Sequence, residues 1–287
     1  MSTSLPLRTR LAALACTAAL ALPLAPVGAP TANAGDLAQV VNADERLAPS
    51  GEQATISAGH IDLGALIRDG QATFMARDDS GEQPVWRELD DVVFAVSDAA
   101  AQPLPKNKNY SFVGAKPGEN VWVIPQTEIT GVPWLGWNTQ SPSLLEVADR
   151  GVWLEYLGHQ GPGEFSLFLQ NGGFEAPQVL FASTGGGEER IWVDLNTHTH
   201  ANWTFTRPGT HLVGLRLHVN TLDGQHLSAD TTLRLAVGAT DPQQARAHQW
   251  DADAAGASAS SGTLWWALGA VAAVVLGAVV LVVRRRA

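Results

Sequence analysis

Cysteine is all but missing from this 287-residue chain, Cys16 being the only one. An intramolecular disulfide and a cysteine-rich zinc site are thereby excluded, so stability and any metal chemistry must come from other side chains. Charge is sparse as well, at 16% of residues against the usual quarter, and it leans acidic, with 28 Asp and Glu against 18 Lys and Arg. That balance excludes a nucleic-acid partner, whose phosphates require a basic surface. Catalytic signatures are absent too: there is no HExxH and no nucleophile elbow, and Gly185-Gly186-Gly187 is followed by neither lysine nor a helical pattern. The chain reads as a binding or structural protein, not an enzyme. Long apolar runs are missing except at the two ends.

Those ends predict a topology. Residues 1–34 carry Arg8 and Arg10, then an apolar stretch, then Ala32-Asn33-Ala34, the n-region, h-region and small-x-small site of a secretory signal peptide. Cys16 lies within the apolar stretch, with too few apolar residues before it for a lipidation site, so the mature chain is expected to be cysteine-free. Residues 264–283 form an uninterrupted apolar run, long enough at 1.5 Å per residue to cross a hydrocarbon core as one transmembrane helix. Residues 284–287, Arg-Arg-Arg-Ala, place the C-terminus in the cytoplasm by the positive-inside rule, and Trp265 and Trp266 suit the outer interface. The partner of this helix is the cell membrane, and the ectodomain is extracellular. Residues 239–263, rich in Ala, Ser, Gly and acidic residues, read as a flexible stalk.

Between signal and stalk, residues 35–238 show short alternating apolar stretches at 91–96, 121–124, 164–169, 212–219 and 232–237, punctuated by Gly, Pro, Asn and Asp. This is the pattern of an all-β fold. The stretch from Phe205 to Gly238 resembles the last two strands of an immunoglobulin-like β-sandwich, as one elaborated or two packed sandwiches. One short helix is expected near 143–148, where Ser-Pro-Ser precedes a modest apolar period.

The histidines carry the chemical signal. In an extended Asp194-Leu195-Asn196-Thr197-His198-Thr199-His200, the side chains of Asp194, His198 and His200 share one face, with the imidazoles about 7 Å apart along the strand. Such a pair converges on a divalent ion, zinc or manganese, when a neighbouring strand supplies further ligands. His60 and Asp62 repeat the i, i+2 spacing, and His211 is a further candidate. The competing reading makes all of these polar residues of a solvated strand face. Trp134, Trp137 and Asn138 suggest an aromatic platform for a carbohydrate or peptide, against a bland alternative of core packing under a loop.

Several segments together carry a family resemblance. They are Gly59-His60-Ile61-Asp62, Pro84-Val85-Trp86, Asp90-Asp91-Val92-Val93, the stretch from Val121 to Thr127, Trp134-Leu135-Gly136-Trp137-Asn138-Thr139, and the stretch from Val193 to Leu217. The set resembles the actinobacterial surface-anchored protein family, also described as choice-of-anchor M domain proteins. The resemblance implies an exported β-rich module associated with ABC transporter components of the metal-uptake type. The expected function is binding a divalent metal or metal-containing solute for such a transporter. A structural or adhesive surface module without a small ligand is the alternative.

Overall fold

The computed structural model describes residues 39–172 and 175–252. The expected signal peptide, transmembrane helix and basic tail lie outside the described residues, among which no helix is long and apolar enough to cross a membrane.

The chain is mostly strand. In order come β1 (Arg46–Leu47), β2 (Ala54–Ile56), β3 (Gly59–Arg68), β4 (Gln71–Asp78), β5 (Val85–Glu88) and β6 (Val92–Val96). Next are β7 (Ala101–Pro103), β8 (Asn120–Ile124), β9 (Pro133–Asn138), β10 (Ala148–Gln160), β11 (Phe165–Leu169) and β12 (Gln178–Ala182). The last are β13 (Arg190–Asp194), β14 (His198–His200), β15 (Asn202–Phe205), β16 (Gly209–Thr221) and β17 (His226–Val237). The helices among the described residues are α1 (Pro142–Leu145), α2 (Pro242–Ala247) and short 3-10 segments. The expected all-β class is therefore what the structure has. Each alternating stretch named above became a strand, and the expected helix shrank to the single turn α1.

The strands form sheets of order β1-β5-β4-β3-β9-β14 (sheet one), β13-β10-β16-β17-β6-β2 (sheet two) and β12-β11-β15-β8-β7 (sheet three). A contiguous core joins them. It takes Leu63 and Leu135 from sheet one, Phe94, Leu215 and Leu235 from sheet two, and Phe165 and Trp203 from sheet three, each at most 1% exposed. Three sheets sharing one core make a single elaborated unit; two sandwiches with separate cores would not show this contact pattern.

Period-two alternation in sheet one positions the site. In β3, Ile61, Leu63 and Ala65 enter the main core, so His60, Asp62 and Gly64 face the other way. In β9, Leu135 and Trp137 enter it, leaving Trp134, Gly136 and Asn138 on the opposite face. A satellite cluster of Val41, Leu66, Met75 and Trp86 adjoins that face, with Val41 supplied by the N-terminal segment before β1.

The folded unit runs past residue 238, where the sequence reading ended it, so part of the expected stalk is structured. Asp241 caps α2 by accepting from the Gln243 amide, and Pro242 occupies the first turn, where a missing N–H costs nothing. Ala245 is fully buried against Val93 and Ala236. Arg246 donates to the carbonyls of Asp91 and Ala54 at 2.8 and 2.9 Å. The Trp250 indole lies where a Cβ on Gly214 would stand, and Gln160 is hydrogen-bonded to Asp251. Compositional bias concealed a capped helix whose small residues are what allow close packing. The remainder of the expected stalk lies outside the described residues.

Candidate metal centre

Strand β9 organises the centre by separating its two ligand-bearing neighbours. β3 runs parallel to it, setting His60 opposite Trp134 and Asp62 opposite Gly136. β14 runs antiparallel on the other edge, setting His200 opposite Gly136 and His198 opposite Asn138. Asp62 and His200 thus flank a residue with no side chain and close over it. A Cβ at Gly136 would stand 2.7 Å from Asp62 Oδ1, 2.8 Å from His200 Cε1 and 2.6 Å from the Thr199 carbonyl, all too close for any other residue.

The imidazoles meet at their Nε2 atoms. His60 to His200 is 3.0 Å, and His60 to His198 and His198 to His200 are each 3.1 Å. The Asp62 carboxylate closes the fourth corner, 3.2 Å from His198 Nε2 and 3.7 Å from each of the other two. Ligands about 2.0–2.1 Å from a tetrahedral zinc stand about 3.3 Å from one another, in the middle of this range. These four side chains could hold a metal ion.

The protein alone does not satisfy this arrangement. A neutral imidazole nitrogen is either a donor or an acceptor, so a proton on one Nε2 serves one neighbour and leaves the remaining lone pairs opposed. Asp62 Oδ1 is buried and lacks a hydrogen-bond partner among the described residues. A cation at the centre of the four donors removes both costs.

Protonation states agree with that occupant. Burial pushes His200 down to about 3 and His60 below its ordinary value, against the pull of Asp62. Burial by itself would raise the Asp62 carboxyl, but the His198 hydrogen bond and the surrounding imidazoles outweigh it and bring it to about 2. Near neutrality His60 and His200 are therefore uncharged and Asp62 is ionised, the forms that bind metal without first losing protons.

Surrounding groups hold the ligands in place. Asn138 and Gln39 donate to Asp62 Oδ2 at 3.1 and 2.8 Å. Asp79 lies 3.5 Å from His60 Nδ1 and is held by Arg77, which also forms a two-point ion pair with Glu45. The Trp134 indole stacks on His200 at 3.9 Å between ring centroids and 14° between planes, and its N–H donates to the Gln126 carbonyl. His60 is the accessible edge, its side chain 18% exposed against at most 3% for the other ligands. It borders an open cleft of about 540 Å³ whose walls include Asp79 and Glu128.

Two residues expected at the centre are elsewhere. Asp194 ends β13 in sheet two, where its carboxylate accepts from the Trp192 indole at 2.7 Å. The chain turns between Asp194 and His198, with Asn196 at a φ of 59°, so the extended run that would have aligned the three side chains is broken. His211 is buried in β16, where its Nδ1 accepts from His159 at 2.8 Å and its Nε2 donates to the Arg207 carbonyl at 3.0 Å. The expected aromatic platform is also corrected. Trp134 and Trp137 are each 5% exposed, because the strand packs on both faces: Trp137 fills the core, Trp134 backs the histidines, and Asn138 braces Asp62.

The sequence reading missed Gln39, Arg77, Asp79 and Gly136. Gly136 left one signal, a glycine at the centre of an otherwise bulky Trp-Leu-Gly-Trp strand. No family model matches this chain, and neither the curated proteins nor the solved structures contain a match to it.

Proposed function

We propose that this chain binds a single divalent ion, zinc in preference to manganese, at His60, Asp62, His198 and His200. The observation that carries the proposal is the convergence of three imidazole nitrogens and a carboxylate at tetrahedral spacing on a fixed strand face. Three imidazoles and one carboxylate suit zinc, whereas manganese favours more oxygen ligands in an octahedron. Four protein ligands complete a tetrahedron, which supports holding the ion over hydrolysing a substrate on it. The exposed edge at His60 and the open cleft beside it support exchange of that ion with the surroundings.

The wider reading rests on sequence. The signal peptide, the apolar run at 264–283 and the three terminal arginines support a β-sandwich ectodomain anchored outside the cell by one transmembrane helix. The resemblance to surface-anchored proteins supports delivery of the ion, or a metal-containing solute, to a membrane transporter.

Calorimetric titration of the purified chain should give one equivalent of zinc bound. The variant carrying His198→Ala and His200→Ala should bind none. A chain that takes up no zinc would return the protein to the alternative, a structural or adhesive surface module.

A further inference from the structure

We propose a second binding site, on the outer face of sheet three, for a small aromatic molecule carrying one hydrogen-bonding group such as a phenol. After β7 the chain folds back over this face through the 3-10 segment Lys108–Val113, and Leu104, Val113, Val121 and Val123 make a separate apolar cluster beneath it. The cover is incomplete and leaves a pocket of about 220 Å³. Pro103 and Pro105 stand exposed at its mouth, Tyr110 and Phe168 line its walls, and Val123 and Thr204 form its floor.

Size and lining select the ligand. An apolar cavity of about 150 Å³ accommodates benzene, so this one takes a six-membered ring with one or two further heavy atoms. The Tyr110 and Phe168 rings, 6.1 Å apart and edge to face, offer aromatic surfaces, and the prolines add flat apolar ones. Thr204 is 1% exposed, and its hydroxyl is buried without a hydrogen-bond partner among the described residues. A dry apolar floor would be served by valine at this position. A hydroxyl kept there without a partner fits a ligand that brings the missing donor or acceptor. Tyr110 is not that group, since its hydroxyl donates to Gln170 at 2.8 Å. The site shares no ligand residue with the metal centre, so it stands or falls independently of it.

The test compares p-cresol with toluene, which differ by one hydroxyl, on the full chain by nuclear magnetic resonance. Saturable shifts at the Val121 and Val123 methyls are expected for both, with p-cresol binding about 3- to 10-fold more tightly, the worth of one net hydrogen bond. The near-isosteric Thr204→Val variant should keep toluene binding and lose or reverse the preference. Absence of saturable shifts with either compound in the unaltered chain would overturn the proposal. So would an undiminished preference for p-cresol in Thr204→Val.

Discussion

Substituting Gly136→Ala adds a single methyl group and should disable the metal centre while sparing the fold. The added carbon would stand 2.6–2.8 Å from the Thr199 carbonyl, Asp62 Oδ1 and His200 Cε1. Restoring ordinary contact at about 3.4 Å moves those atoms by roughly 0.6–0.8 Å, whereas zinc ligands tolerate displacements of about 0.2 Å. The cheapest relief is to swing Asp62 or His200 outward, because the third neighbour is backbone tied into the β9–β14 pairing. Overpacking of this kind costs about 1–3 kcal/mol of fold stability. Loss of alignment at two ligands should weaken zinc by at least the roughly 100-fold that outer supporting groups can cost. Linkage makes the effect measurable in urea. At free zinc about 1,000 times its dissociation constant the unaltered chain gains about 4.1 kcal/mol, and a 100-fold weaker variant gains only about 1.4 kcal/mol. Urea midpoints measured with zinc and with chelator, checked by competition against a fluorescent chelator, give both quantities. A Gly136→Ala chain that is folded and binds zinc as tightly as its parent would refute the reasoning, since the ligands would then not depend on the empty position between them.

Further outcomes follow from the same structure. Asn138→Ala and Gln39→Ala each remove a donor to Asp62 Oδ2 and should weaken zinc about 10- to 100-fold while leaving one equivalent bound; unchanged titrations would show that Asp62 needs no bracing. Asp194→Ala should leave zinc affinity unaltered, because that carboxylate serves the Trp192 indole in sheet two, and a loss of binding would contradict the fold described here. Burial holds His159 at about 4 and His211 at about 3, so between pH 6.5 and 4 the unfolded chain takes up protons that the folded chain refuses. Stability should therefore be full above pH about 6.5 and fall with acidification, by about 1.4 kcal/mol per pH unit for each ring, and the slope should shrink in His159→Gln. Urea midpoints at pH 7 and pH 5 that coincide would rule this out. Arg246→Ala should lower the midpoint by about 1–3 kcal/mol, since the Asp91 and Ala54 carbonyls lose their donor; a surface stalk would lose nothing.

Strands were legible because alternation is a local property, and the same alternation separated Ile61 and Leu63 from His60 and Asp62. The two pairs, His60 with Asp62 and His198 with His200, were legible as candidate ligands for the same reason. That they face each other across β9 was not, because register between strands 138 residues apart is set by tertiary packing. Asp194 was misplaced by extending the alternation through Asn196, where the backbone turns left-handed and the chain changes sheets. His211 was misjudged because a buried histidine satisfied by a second histidine has the same local sequence as a free one. The tryptophans went astray because exposure of an aromatic depends on what packs against it, here the main core on Trp137 and the His200 ring on Trp134.

The division of the ligands between two distant points in the chain has a consequence for biosynthesis. His60 and Asp62 are made early, but a nascent chain holds only this pair until synthesis reaches residue 198, and all four only from residue 200. One imidazole and one carboxylate are a poor match for zinc, so a growing chain has little with which to capture it. On the proposed function, acquisition of the ion would be a late event that follows the docking of β14 on β9. Loaded protein would be protein that has finished pairing these strands, and the bound ion would serve as a record of completed assembly.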